Sequence, residues 1–580
     1  MTNLDYLVLM GYIVGVFTVG GIFSARVKDS ADMFAAGGQS PWWVSGLSGF
    51  MAMFSAGTFV VWGGIAYKHG IVAISINMCY GVAALLVGYI LAGRWQKMGL
   101  KTPAEYVELR FGRKAIHFYT WVMMAYRLTG VGVALYSLAV LLVALVPLEA
   151  GNPFRDPVTG NLALKWAVLL FGSVVTIYTV GGGLWAVLMA DVLQFIVLNM
   201  AVAFVVPLCF MKIGGVGQFI RTAPDGFFWP TTSEFTWFFL AGWCAIHFFM
   251  VGAEWAFVQR FICVPTATHA RKSAYLFGGL YLFSPFLWML PPMLYRAIDP
   301  GANPEQAYIL ACRRVLPPGM MGLMMAAMVS ATASMVSAQL NVFAGVLTND
   351  FYRRLFRPEA SEARLVGVGR IMTVLLAGVL IGVALVVPYA GGAEKVILSV
   401  TALMVGPLLL PSVWGLFSRR VTQRCIWPTA GVSFAVGALV KFGLSEQGFL
   451  SGVESLDSLR TWIQANLRTV EAFVGVVLPV LVLSAIELAS HGTSEGFEKV
   501  AAKTREHVHR PKPKMSRLPA LVVSWVIGFC SLLMGLLAAV NQEQRQVLAI
   551  FSGTLFVIAG LCAWRYMTGS KSELERLNET

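Results

Sequence analysis

The chain reads as a succession of long apolar runs joined by short polar connections. A helix needs about 20 apolar residues to cross roughly 30 Å of hydrocarbon. Fifteen stretches approach or exceed that length: 4–24, 42–66, 70–95, 115–147, 163–181, 184–211, 235–260, 272–297, 319–348, 369–389, 394–417, 425–444, 470–488, 518–541 and 545–567. The runs are continuous rather than alternating, so they predict helices and exclude a porin-type barrel. The longest gaps, about thirty residues, are too short for a separate folded domain. The pattern therefore predicts an all-α polytopic membrane protein with about 15 transmembrane helices, a single integral membrane domain over 1–580.

Composition agrees. Of 580 residues, 57% are hydrophobic and 12% charged, where a soluble protein carries about 25% charged residues. Such a chain cannot cover its own core with polar surface. A cytosolic enzyme, a nucleic-acid binder and a disordered scaffold are all excluded, and the lipid bilayer is the expected partner. The net charge of +14 then reads as cytoplasmic loops that collect Lys and Arg. With the N-terminus outside, 29 of the 43 basic residues fall on the inner side, 13 fall outside, and Arg127 lies within a span. That split predicts a multi-pass protein of the inner or plasma membrane, N-terminus out and C-terminus cytoplasmic. The first residues, Met1-Thr2-Asn3-Leu4-Asp5, form no basic n-region, so the first apolar run is expected to be a retained span. The eight cysteines lie mostly inside spans and form no C-x-x-C pair, which suits buried small apolar side chains.

The apolar rule is broken in a few places, and these carry the candidate chemistry. The second span holds Met51-Ala52-Met53-Phe54-Ser55-Ala56-Gly57-Thr58-Phe59 followed by Gly63-Gly64. Small and hydroxylated residues at mid-membrane mean either close helix packing or an unwound stretch facing a cavity. In the ninth span Ser330, Ser334, Ser337 and Asn341 are spaced 4, 3 and 4 apart and share one helical face. Such a stripe faces protein or water: it serves interhelical hydrogen bonds or offers hard oxygens to a small cation. Ionisable groups inside spans are functional candidates, because each costs at least about 2.5 kcal/mol at the bilayer centre. They are Asp191, with Gln194 nearby; Glu254, with His247 two turns earlier; and Arg127. A mutual ion pair is the structural alternative for Arg127 and Glu254. After the third span, Thr102-Pro103-Ala104-Glu105 predicts a short capped cytoplasmic helix.

At these residues the sequence resembles the solute:sodium symporter family, which includes sodium/glucose, proline and sialic acid symporters. Three segments carry the resemblance: Lys101-Thr102-Pro103-Ala104-Glu105-Tyr106 through Arg110-Phe111-Gly112, Tyr178 through Gly181-Gly182-Gly183 to Asp191 and Gln194, and the serine-rich ninth span running into Leu347-Thr348-Asn349-Asp350. The family implies a LeuT-type inverted-repeat core, here the ten helices of 42–417, with repeats at about 42–211 and 235–417. The second and seventh spans would be broken, and 418–580 would add C-terminal helices with a basic cytoplasmic loop at 489–517. By the same resemblance a sodium ion is held by Met51, Phe54, Ala331 and Ser334, with Met335 standing where a hydroxyl is expected. A thioether is a poor ligand for a hard cation, so the site is weakened, a water or Ser55 substitutes, or the register differs by a turn. A second sodium site would use Asp191, Ser334 and Ser337, with Ala338 in place of a further serine.

Thr58, Trp62, Glu254, Trp255 and Arg127 are the candidate solute-binding residues; Trp62, Trp255 and Phe59 supply an apolar platform for the solute or, as the alternative, pack between helices. Glu254 favours a cationic or hydroxyl-rich solute and Arg127 a carboxylate; if they pair, a neutral polyol or sugar fits better. The expected function is sodium-coupled import of a small polar, sugar-like solute by alternating access. The alternatives are proton-coupled symport of an organic acid or amino acid, and a non-accumulating sensor or channel. No H-E-x-x-H motif, P-loop or catalytic cluster in the sequence points to an enzyme. Oligomeric state is left open.

Overall fold

The computed structural model describes residues 2–24, 38–100, 102–179, 184–445, 448–508, 518–541 and 545–578. Within these, every one of the fifteen expected stretches falls on helix. Among the described residues ten helices are long and apolar enough to span a bilayer, or eleven with one bent pair taken as a single span. The count of about fifteen is therefore approximate, since broken and shorter helices make up the difference.

In chain order the helices that position the site are α1 (Asn3–Ser24), α2 (Trp42–Met51), α3 (Gly63–His69), α4 (Val72–Val87), α5 (Pro103–Phe111) and α6 (Arg113–Val143). Then come α7 (Leu164–Thr179), α8 (Leu184–Ile213), α9 (Trp237–Ala253), α10 (Trp255–Ile262), α11 (Ala267–Ile298) and α12 (Met320–Val346). They are followed by α13 (Glu362–Val386), α14 (Gly392–Gly415), α15 (Gln423–Ala438), α16 (Leu478–Ala489), α17 (Glu495–Val508), α18 (Leu518–Val540) and α19 (Arg545–Asn578).

Both spans expected to be broken are broken. The second ends as a regular helix at Met51, passes through an irregular stretch, and resumes as a π-turn at Thr58–Trp62 leading into α3. The seventh bends by 55° between α9 and α10. The break falls on Glu254, whose backbone is extended at φ −71° and ψ 137°. Around these breaks α2 packs on α8 and α11, α9 packs on α4 and α14, and α12 packs on α6 and α8.

The flanking helices fasten to this arrangement. Asp5 of α1 is buried and its Oδ1 accepts from the backbone N–H groups of Gly319 and Gly322, at 2.8 and 3.0 Å. A carboxylate there satisfies donors left open at the start of α12 and complements the helix dipole. Gly322 has no alternative at this crossing, because a Cβ would lie 2.0 Å from the Asp5 carbonyl oxygen. α18 and α19 pair chiefly with each other, and α18 touches α8. The short cytoplasmic helix forms as predicted: Thr102 caps α5 by accepting from the Glu105 N–H, with Pro103 in the first turn. Residues 495–508 of the basic loop form α17, which lies on α5; residues 509–517 lie outside the described residues.

Candidate transport site

The irregular stretch of the second span needs partners for its backbone, because no water in hydrocarbon can supply them. Thr332 supplies one: its hydroxyl accepts from the Ala56 N–H at 3.0 Å while donating to the Met328 carbonyl. Ser55 supplies another, accepting from the Gly57 N–H at 3.1 Å. The break is thus held open by side chains of its own segment and of α12.

Beside it lies a cavity of about 90 Å³. One wall is aromatic, with Trp62, Tyr80, Tyr126 and Trp243. Trp62 and Trp243 meet edge to face with centroids 6.0 Å apart, and Tyr80 stands between Trp62 and His247. The polar positions on the wall include Ser55, Thr58, Thr401, His247 and Arg127. His247 is fixed through Nδ1 to the Trp243 carbonyl oxygen at 2.8 Å, while its buried Nε2 has no protein partner.

Arg127 and Glu254 form the ion pair considered from sequence. Arg127 Nη2 lies 2.5 Å from Glu254 Oε2, and both side chains are buried. Only Arg127 is on the wall; Glu254 and Trp255 sit outside the lining. The contact is close but not aligned as a hydrogen bond, and Arg127 Nε is buried without a partner. Phe59 is also off the wall, packed against Phe54 and Tyr308 in the core. Of the candidate solute residues, then, Thr58, Trp62 and Arg127 are brought together. Glu254 serves as the counter-ion behind Arg127.

A second, smaller cavity of about 10 Å³ adjoins the first, sharing Ala52 and Met335. Met51, Asp191, Ser334, Ala338 and Arg260 line it. The expected cation residues Met51, Ser334 and Asp191 therefore converge, whereas Phe54, Ala331 and Ser337 are outside the lining. Ser337 donates to the Ser334 carbonyl oxygen at 3.0 Å. The serine stripe also anchors α8: Gln194 Nε2 donates to Ser330 Oγ at 2.9 Å.

Asp191 is not an open carboxylate. Ser48 donates to its Oδ2 at 2.5 Å, Ser334 donates to its Oδ1 at 2.9 Å, and Arg260 Nη2 lies 3.6 Å from Oδ2. Arg260, Ser48 and Thr332 were not singled out from sequence. Arg260 ends an apolar run, where a basic residue reads as part of an inner loop; its neighbours Phe257 and Phe261 are the available signal that it is buried. The connection Gly181-Gly182-Gly183 lies outside the described residues.

Known proteins show the same plan. The Sodium:solute symporter family model matches residues 33–427. The chain belongs to that family. It is accordingly a membrane-embedded transporter coupled to sodium, not an enzyme. The sodium/sialic acid symporter NanT of Aliivibrio fischeri is 26% identical over 476 residues, 78% of this symporter and 90% of its own chain. The sodium/glucose cotransporter of Vibrio parahaemolyticus is 26% identical over 480 residues, 75% and 85% of the two chains. Among solved structures, a Na+-coupled sialic acid symporter in a substrate-bound outward-open state superposes with a TM-score of 0.67 at 20% identity, covering 85% of this symporter and 99% of that chain. Mhp1, a nucleobase-cation-symport-1 family transporter in a closed conformation, gives 0.52 at 12% identity, covering 82% and 99%. The fold of the symporter is of the LeuT type, and its broken helices are those that flank the two cavities.

Proposed function

We propose that this symporter imports a small polar, sugar-like solute together with sodium by alternating access. The observation that carries the proposal is the larger cavity, which the aromatic rings of Trp62, Tyr80 and Trp243 line together with the hydroxyl-bearing Ser55, Thr58 and Thr401. Apolar walls with a few placed polar groups suit a small ligand, and rings suit the faces of a sugar. The names of the relatives, sialic acid and glucose symporters, support the same class.

Sodium would bind beside the solute, on the carbonyls of Met51, Phe54 and Ala331 and the hydroxyl of Ser334. Hard oxygens of this kind suit a small cation. Met51 and Ser334 both line the smaller cavity, which supports the assignment. Residues 42–417 would form the transport core, with repeats at 42–211 and 235–417, and 418–580 would brace it. With the N-terminus outside and an inside-negative membrane, each translocated charge adds about 2.3 kcal/mol per 100 mV. Sodium and solute must each raise the affinity for the other.

One observation favours a narrower reading, a sugar-like solute that carries a carboxylate: a guanidinium, Arg127, stands on the cavity lining, and its buried Nε has no partner. A thermal-shift screen of sugars, sugar acids, amino acids and organic acids, with and without sodium, separates the two. Stabilisation by neutral sugars supports the first, and stabilisation only by their acids supports the second. Ser334→Ala should weaken sodium-stimulated uptake about tenfold in sodium affinity, the cost of one hydrogen-bonding group to a charge. Unchanged sodium affinity in that variant would remove Ser334 from the cation site. Accumulation against a gradient in proteoliposomes excludes a sensor or channel.

A further inference from the structure

We infer that Arg260 is a tethered cation that fills the Asp191 site, so that this carboxylate takes no sodium. The inference rests on the sodium-coupled reading above and concerns which groups the ion uses. Asp191 has both oxygens engaged, one by Ser48 and one by Ser334. Arg260 is held by two hydrogen bonds and an ion pair: Nε donates to Ser48 Oγ at 3.0 Å, Nη1 donates to the Ala256 carbonyl oxygen at 2.5 Å, and Nη2 lies 3.6 Å from Asp191 Oδ2. Asp191 and Arg260 are each 3% exposed. A guanidinium stays charged at any relevant pH, so the negative charge of Asp191 is permanently balanced from within the chain.

The space left over does not suit a second ion. The adjoining cavity is only about 10 Å³, and the Met335 and Ala338 side chains on its lining supply no oxygen, which leaves Ser334 and the Gln339 amide as its uncharged oxygen-bearing side chains. Ser337 turns its hydroxyl to the Ser334 carbonyl oxygen. A cation entering there would meet the guanidinium as a like charge. The pair also has a mechanical consequence. Arg260 lies on α10, the second half of a broken span, and ties it to α2 through Ser48 and to α8 through Asp191. Arg260 is thus a tie between helices and lies outside the cation shell.

The test uses the purified full-length symporter, titrated with sodium chloride against choline chloride at constant ionic strength and read by thermal unfolding. Wild type should show a sodium-specific shift with a Hill coefficient near 1, for about one bound ion. The neutral double variant Asp191→Asn/Arg260→Gln should keep the midpoint sodium concentration within about twofold of wild type, whereas loss of a true ligand costs about tenfold. Arg260→Gln alone bares the carboxylate and should raise the Hill coefficient toward about 2. Arg260→Lys, which keeps the charge, should leave it near about 1 and guards against a variant that fails to fold. A wild-type coefficient near 2, or a tenfold midpoint shift in the double variant, would overturn the inference while leaving sodium coupling intact. No sodium-specific stabilisation of wild type would sink the sodium reading and this inference with it.

Discussion

Two guanidinium–carboxylate pairs lie buried within the helices of this symporter. Arg260 and Asp191 belong to a closed network: Ser48 and Ser334 take the carboxylate oxygens, and the guanidinium spends its remaining donors on Ser48 and Ala256. Arg127 and Glu254 are closer, at 2.5 Å, yet less complete, because Arg127 Nε and Nη2 and Glu254 Oε2 make no aligned hydrogen bond. The first pair sits where helices meet; the second stands with its cation on the wall of the larger cavity. Buried polar groups are costly unless satisfied. A network that is closed holds helices together, and one left open toward a cavity is poised for a ligand.

The sharpest way to break the comparison is to remove one member of the open pair. Arg127→Ala leaves Glu254 buried and uncompensated at the break between α9 and α10, which should cost about 3–5 kcal/mol of stability and abolish uptake. Arg127→Lys should restore stability better than uptake, since an ammonium cannot place donors on Glu254 and the cavity in the same plane. Thermal unfolding and proteoliposome uptake measured on both variants check this. Equal recovery of both properties by lysine would mean that Arg127 is only structural.

Glu254→Gln sharpens the comparison from the other side. It keeps the shape and removes the balancing charge, so the guanidinium faces the cavity alone. The preference for carboxylated over neutral solutes should rise by about tenfold, a difference of about 1.4 kcal/mol. Competition binding with matched sugars and sugar acids reads the ratio directly. An unchanged ratio would show that the solute does not sense Arg127.

How much of this was legible in the sequence follows from where each signal lives. Spans were legible because hydrocarbon imposes a length and an apolar run on every helix that crosses it. The breaks were legible too, because Ser55-Ala56-Gly57-Thr58 and Glu254 violate that rule locally. Asp191, Arg127 and Glu254 stood out for the same reason. The pairing of Arg127 with Glu254 is legible as an alternative, because both charges stand inside spans; the partner of Asp191 is not, since pairing depends on helices distant in the chain. Arg260 is separated from Asp191 by 69 positions in the sequence and sits at the end of its run, where positive residues are ordinary. Glu254 falls off the cavity wall for a similar reason: the bend at its own position turns it behind Arg127. Thr332 is hidden in a serine-rich stretch whose polar face runs through Ser330, Ser334 and Ser337, because it lies on the opposite side of the same helix.

Thr332 gives the next, smaller test. Thr332→Val preserves shape but leaves the Ala56 N–H without its acceptor, an unsatisfied buried donor that costs about 1–3 kcal/mol. The variant should unfold at lower temperature, and sodium affinity should fall with it because Met51 lies at the edge of the same break. Thr332→Ser, which returns the hydroxyl, should recover most of both. A valine variant with wild-type stability and sodium affinity would show that the break holds its shape without α12.

The smallest effect belongs to the cytoplasmic face and serves as the control for both buried pairs. Lys503 of α17 pairs with Glu105 of α5, and each side chain is about one-third exposed, 33% and 30%. Water and salt screen such a contact, so its worth is about 0–1 kcal/mol. Lys503→Ala should therefore change the unfolding temperature little, and the small change should vanish at high salt. The losses at Arg127 should persist there, because screening ions do not reach a pair buried among helices. Salt dependence of equal size at both sites would mean that the cavity is far wetter than its aromatic wall implies, and the contrast between exposed and buried pairs would collapse.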